Sequence, residues 1–149
     1  MLDFGVSRPA ASGGTLTHGA LVGTPTYMAP EQVRMEFDVD HRADLYSLTN
    51  VVYRAITGKP AFGGEDVATI LFNVVHTQPV APSALVKVPE DVDLVIAIGM
   101  AKDREDRFQK VEDLVRAMRL AAKGELDEET RTKGSRLVAA HPFSPPPRA

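Results

Sequence analysis

Apolar residues fall at helical spacing in four stretches of this chain. Leu45, Leu48, Val51, Val52, Ala55 and Ile56 predict a helix from about His41 to Thr57, stopped by Gly58 and Pro60. Tyr46 and Tyr53 widen its apolar face, and a helix apolar over so much of its circumference belongs at the centre of its domain. Val67, Ile70, Leu71, Val74 and Val75 predict a second helix, about Glu65 to His76, closed by Pro79 and Pro82. A third, about Glu90 to Ala101, carries Leu94, Val95 and Ile98; Pro89 and the acidic Glu90 and Asp91 suit its start. Val111, Leu114, Val115 and Met118 mark a fourth, about Lys110 to Ala122, ended by Gly124.

From Ser7 to Pro30 neither period is sustained, and the residues are mostly small or turn-forming, so a long loop is expected. Loops of that length in compact domains are usually functional or disordered. No stretch alternates convincingly as a strand; at most, the residues before Asp3 end one. The expected fold class is mainly α, with residues 1–124 as one folding unit. Beyond Gly124 the character changes. Glu125 to Lys133 is charged, with room for a brief helical extension, and His141 to Ala149 holds four prolines in nine residues. Residues 125–149 are therefore expected to be a charged, then proline-rich, disordered tail.

Composition narrows the chemistry. With 149 residues, 44% apolar and 25% charged, the chain is an ordinary globular sequence. A net charge of −3 gives no bulk attraction to nucleic acid or to an anionic membrane. There is no cysteine, which removes disulfides, thiolate metal sites and thiol nucleophiles. No apolar run approaches the roughly 20 residues that span a bilayer, and the N-terminus lacks a basic segment followed by an apolar one. The cytoplasm is the expected location. His18, His41, His76 and His141 lack metal-ligand spacing.

The motifs lie in a telling order. Asp3-Phe4-Gly5 opens the chain, and a carboxylate beside a glycine turn can hold Mg²⁺ against nucleotide phosphates. Alone the tripeptide carries little. It is followed by Gly23-Thr24-Pro25-Thr26-Tyr27-Met28-Ala29-Pro30-Glu31, then Asp44-Leu45-Tyr46-Ser47-Leu48, then Thr57-Gly58-Lys59-Pro60-Ala61-Phe62, and finally Ala101-Lys102-Asp103 with Arg107-Phe108. This ordered set, from about Met1 to Leu120, resembles the C-terminal portion of a serine/threonine protein kinase domain of the bacterial, eukaryotic-like type, from its D-F-G motif through A-P-E onward. The Gly23-Thr24 pair resembles the serine/threonine class; the tyrosine class usually has a proline at that threonine and a tryptophan near Tyr27.

The resemblance implies a fold and a set of roles. The fold would be a partial kinase C-lobe: an activation segment, residues 3–31, and about four helices in residues 32–124, with the N-lobe and catalytic loop absent. Asp3 would bind Mg²⁺ bridging the phosphates of ATP, Phe4 would pack under the helix that positions the nucleotide-binding lysine's partner, and Gly5 would permit the backbone to swing. Gly23 and Thr24 would shape the substrate groove. Thr15, Thr17 and Ser12 are the candidate phosphorylation sites of the loop. Glu31 would pair with Arg107 and tie the activation segment to the base of the lobe, and Asp44 would accept hydrogen bonds from the catalytic loop.

Within these 149 residues there is no Gly-rich loop, no Val-Ala-Ile-Lys-type lysine with its partner glutamate, and no His-Arg-Asp loop with its metal-binding Asn. The resemblance thus implies a kinase region that does not transfer phosphate alone. Its upstream elements are expected in the DNA before Met1 or in a separate N-terminal half. The partners implied are a protein substrate and that half; a non-catalytic, partner-binding module is the alternative. Thr49, where the family often has glycine, and Asp103 and Asp106, flanking a position often occupied by proline, are departures from the pattern. The central helix, stripped of its usual cover, would lose several kcal/mol at about 25 cal/mol per Å², out of a total of about 5–15 kcal/mol. The isolated chain is therefore expected to be partly molten, dimeric or prone to aggregate.

Overall fold

A computed structural model describes residues 25–148. A 3-10 turn, Pro25–Tyr27, leads into α1, Pro30–Val33, a single turn with proline at its start. Then come α2, His41–Thr57; α3, Val67–His76; the one-turn α4, Pro82–Leu85; α5, Glu90–Gly99; α6, Val111–Ala122; and α7, Glu128–Ala140. A second 3-10 turn, Arg104–Asp106, lies between α5 and α6. No strand occurs among the described residues, and the mainly α expectation holds. No described helix is long and apolar enough to cross a membrane.

The termini of α2 arise from local chemistry. Asp40 caps its start by accepting from the Arg42 amide, and Gly58 ends it in the left-handed conformation at φ 73°, where a Cβ would be strained. Its ends fall where the sequence pattern puts them. Ala43, Leu45, Tyr46 and Tyr53 are buried and pack with Val92, Val95, Ile96 and Ile98 of α5 and with Leu114 and Ala117 of α6 in one core. Leu48, Val51, Val52 and Ile56 are half-buried, and Leu48 and Ile56 pack against the same core. Asp66 caps α3 by accepting from Thr69. Asp93, in the first turn of α5, receives the Ser83 amide at 2.9 Å and its hydroxyl at 2.5 Å, and so fastens α4 to α5.

The departure at position 49 has a steric counterpart. Thr49 is fully buried, its hydroxyl bonded back to the Leu45 carbonyl at 2.7 Å. It faces Gly99, where an added Cβ would stand 2.6 Å from the Thr49 methyl and closer still to its hydroxyl. The space for threonine on α2 is made by glycine on α5.

The disordered tail expected over residues 125–149 is corrected. Leu126 is buried, α7 runs for 13 residues, and Leu137 is buried against the core. Gly134 lets α7 approach α5 closely: a Cβ there would lie 2.7 Å from that of Leu94. Asp91 accepts from the Leu126 amide at 3.1 Å and from Arg131 through both oxygens, at 3.1 and 2.8 Å. The reason for the difference is physical. The seat of α7 is made by a glycine and an ion pair as much as by apolar side chains, so little apolar period marks it.

Candidate functional site

The side chain that organises the described part of the molecule is Arg107. It is completely buried, and all five of its N–H donors have acceptors. Nη1 and Nη2 donate to the two carboxylate oxygens of Glu31 at 2.6 and 2.8 Å. Nε donates to the Ala101 carbonyl at 2.8 Å, Nη1 also to that of Arg42 at 3.1 Å, and Nη2 also to that of Lys102 at 3.2 Å. The guanidinium lies 4.9 Å from the centre of the Tyr46 ring. One side chain thus joins α1, the start of α2 and the turn after α5. Glu31, 3% exposed, is placed by its helix: Pro30 starts α1, and the Gln32 side chain accepts the Ala29 amide at 2.8 Å.

Around this pair, two more arginines fasten the loop between α1 and α2. Arg42 pairs with Asp40 at 2.8 Å and with Glu105 at 3.0 Å. Hydrogen bonds from Arg42 hold the Asp40 carboxyl down at about 2. Arg104 donates to the Asp38 carbonyl at 2.7 Å and to its carboxylate.

A second group of contacts holds the turn Pro25–Tyr27 onto α2. Ser47 donates its hydroxyl to the Tyr27 carbonyl at 2.6 Å, Asn50 donates from Nδ2 to the Thr26 carbonyl at 2.5 Å, and Arg54 reaches the Tyr27 hydroxyl at 3.3 Å. Among the described residues, Thr26 Oγ1, Asn50 Oδ1 and Tyr46 OH are buried without a hydrogen-bond partner. Ser47 and Asn50 were not expected from the sequence as anchors. Their signal was available: a polar Ser-x-Thr-Asn run on the inward face of an otherwise apolar helix needs acceptors inside the protein.

Lys102 lies within the Ala101-Lys102-Asp103 motif, but its inward placement was not expected from the sequence. Its ammonium donates to the Val74 carbonyl, in the last turn of α3, at 2.5 Å and stands 4.3 Å over the Phe62 ring. Burial, with smaller contributions from the charges of Arg107 and Arg34, pushes its pKa down to about 7.

Of the residues singled out in the sequence, Glu31 and Arg107 are brought together, and Asp44 sits half-buried in the first turn of α2. Asp3, Phe4, Gly5, Ser12, Thr15, Thr17, Gly23 and Thr24 lie outside the described residues. Among the described residues no group of three His, Cys, Asp or Glu could hold a metal ion.

Comparison with known proteins gives the same reading as the motif order. The protein kinase domain family matches residues 1–128. Serine/threonine-protein kinase PknB of Mycobacterium tuberculosis (strain ATCC 25177 / H37Ra) is 37% identical over 117 residues, covering 76% of this chain and 18% of that protein. The probable serine/threonine-protein kinase PknB of Bifidobacterium longum is 40% identical over 111 residues, 72% of this chain and 16% of that protein. Serine/threonine-protein kinase PknE of Mycobacterium tuberculosis is 34% identical over 152 aligned residues, 97% of this chain and 27% of that protein. The chain therefore spans less than a third of the length of these relatives. A helical core, a buried Glu31–Arg107 tether and the match over residues 1–128 lead to one statement: the chain belongs to the protein kinase domain family, beside bacterial serine/threonine kinases.

Proposed function

We propose that this chain is the substrate-side region of a serine/threonine protein kinase, and that the intact enzyme transfers the γ-phosphate of ATP to the hydroxyl oxygen of a protein serine or threonine, releasing ADP. The observation that carries the reading is the Glu31–Arg107 pair. Two charges are removed from water and matched donor for acceptor, 76 residues apart, to hold the end of the loop at Ala29-Pro30-Glu31 against the base of the helical body. That is the arrangement needed where a loop must present an acceptor hydroxyl at a fixed place, because phosphoryl transfer depends mainly on positioning and charge stabilisation.

Asp3 is the expected Mg²⁺ ligand and Gly23-Thr24 the expected substrate contact; Ser12, Thr15 and Thr17 are the expected sites of loop phosphorylation. Residues 1–124 would form the kinase part. ATP and Mg²⁺ would be bound by the assembled enzyme. The 149 residues alone, without a phosphate cradle or a base for the substrate hydroxyl, would not catalyse. The unpartnered Thr26 and Asn50 oxygens beside the anchored turn support the need for a further polar segment there.

The test is reconstitution. The pure chain, given ATP, Mg²⁺ and a generic protein acceptor, should transfer no phosphate. Co-expression with a separate kinase half carrying the Gly-rich loop, its lysine and the His-Arg-Asp loop should yield a complex that does. Phosphorylation by the pure chain alone would overturn the reading.

A further inference from the structure

At the corner between α3 and α4, several backbone carbonyls are paired by residues distant in the chain. Val74 accepts from Lys102 at 2.5 Å and Val80 from the Tyr53 hydroxyl at 2.7 Å. The carbonyls of Gln78 and Pro79, just before Val80, are both served by one residue far along the chain. Ser144 donates its hydroxyl to Gln78 and its amide to Pro79 at 2.9 Å, and Val80 and Ser144 form an isolated parallel bridge. Carbonyls shielded from water and left unpaired are costly, so a corner built this way needs its distant partner.

Ser144 is held within reach by α7. The seat of that helix on α5 rests on the Asp91 carboxylate, which accepts the bidentate Arg131 pair and the Leu126 amide, and on the close approach at Gly134. From Ala140 to Ser144 the chain has three intervening residues, of which Phe143 packs on the core. Four residue steps span at most roughly 14 Å when extended, so the connection has little slack. The kinase-family match stops at residue 128, the first residue of α7.

We propose that residues 125–144 are an intramolecular strap: seated on α5 at one end and hydrogen-bonded to the α3–α4 corner at the other, they set the position of the C-terminal end of α3. The same helix presents Phe72, 59% exposed, and the more shielded Val67 at the surface. Whatever meets α3 meets a face whose far end is fixed from the C-terminal segment.

Amide exchange on the whole 149-residue chain tests this. Ser144→Pro removes both donors to the corner while leaving the seat of α7 untouched. Gly134→Leu unseats α7 without touching the corner. In both, the amides of Thr77, Gln78, Val80 and Ala81 should exchange at least about tenfold faster, while those of α6 keep their protection. Unchanged corner exchange in Ser144→Pro overturns the proposal. So does an unchanged corner in Gly134→Leu when α7 itself has lost protection. Should Gly134→Leu fail to fold, Arg131→Met is the milder unseating variant, and Ser144→Pro still decides the outcome.

Discussion

Arg107 and Glu31 meet as a bidentate ion pair with side-chain exposures of 0% and 3%. Removing the arginine would leave a buried carboxylate without its counter-charge and take a donor from the carbonyls of Ala101, Arg42 and Lys102. Arg107→Met should therefore lower unfolding stability by about 3–5 kcal/mol, read from the urea midpoint. Arg107→Lys should rescue little, because an ammonium cannot span both oxygens of Glu31. A wild-type midpoint in the lysine variant would show that fork geometry is unimportant here.

The Thr49–Gly99 contact predicts coupling between two helices. Gly99→Ala places a methyl group against Thr49 and should cost about 1–3 kcal/mol. The same change in a Thr49→Gly background should cost markedly less, since the obstructing side chain is gone. A double-mutant cycle on denaturant midpoints measures the difference, and strict additivity would contradict the packing described here.

Lys102 gives the protein a pH dependence of definite sign. Its folded-state pKa is about 7, against an ordinary 10.5. Between those values the unfolded chain holds a proton that the folded chain has released, so stability should rise with pH across that window. The neutral amine keeps a donor for Val74, so α3 stays attached while the cost of a buried charge disappears. Lys102→Met should flatten the slope of stability against pH between about 7 and 10; an unchanged slope would assign it to other groups.

Ser47→Ala and Asn50→Ala each leave a backbone carbonyl of the Pro25–Tyr27 turn without its donor. Each should cost about 1–3 kcal/mol. The effect should appear locally, as faster proteolysis next to Tyr27, before it appears in global unfolding. Protection of the turn equal to wild type in the double variant would mean that the turn is held by other contacts.

Much of this architecture is legible from residue order alone. The ends of α2 are set by Asp40, Gly58 and an apolar period, and α3, α5 and α6 fall within two residues of their expected bounds. The Glu31–Arg107 tether was accessible because the kinase resemblance carried by the motifs implies a distant pairing that periodicity cannot. Two features were hidden for the opposite reason. The seat of α7 rests on Gly134, which adds nothing to an apolar pattern, and on Arg131, which reads as surface charge until Asp91 is placed opposite it. The burial of Lys102 was equally silent, since its acceptor is a backbone carbonyl with no identity in the sequence.

The tether also constrains how the chain can be made. Glu31 leaves the ribosome 76 residues ahead of Arg107, an interval of roughly 4–15 s at ordinary elongation rates. Throughout that time α1 lacks the one guanidinium that meets its carboxylate in the interior, so Glu31 stays hydrated and the turn beside it unseated. Closure of this part of the molecule is set by the arrival of one late residue, and translation order gives the nascent chain a built-in wait.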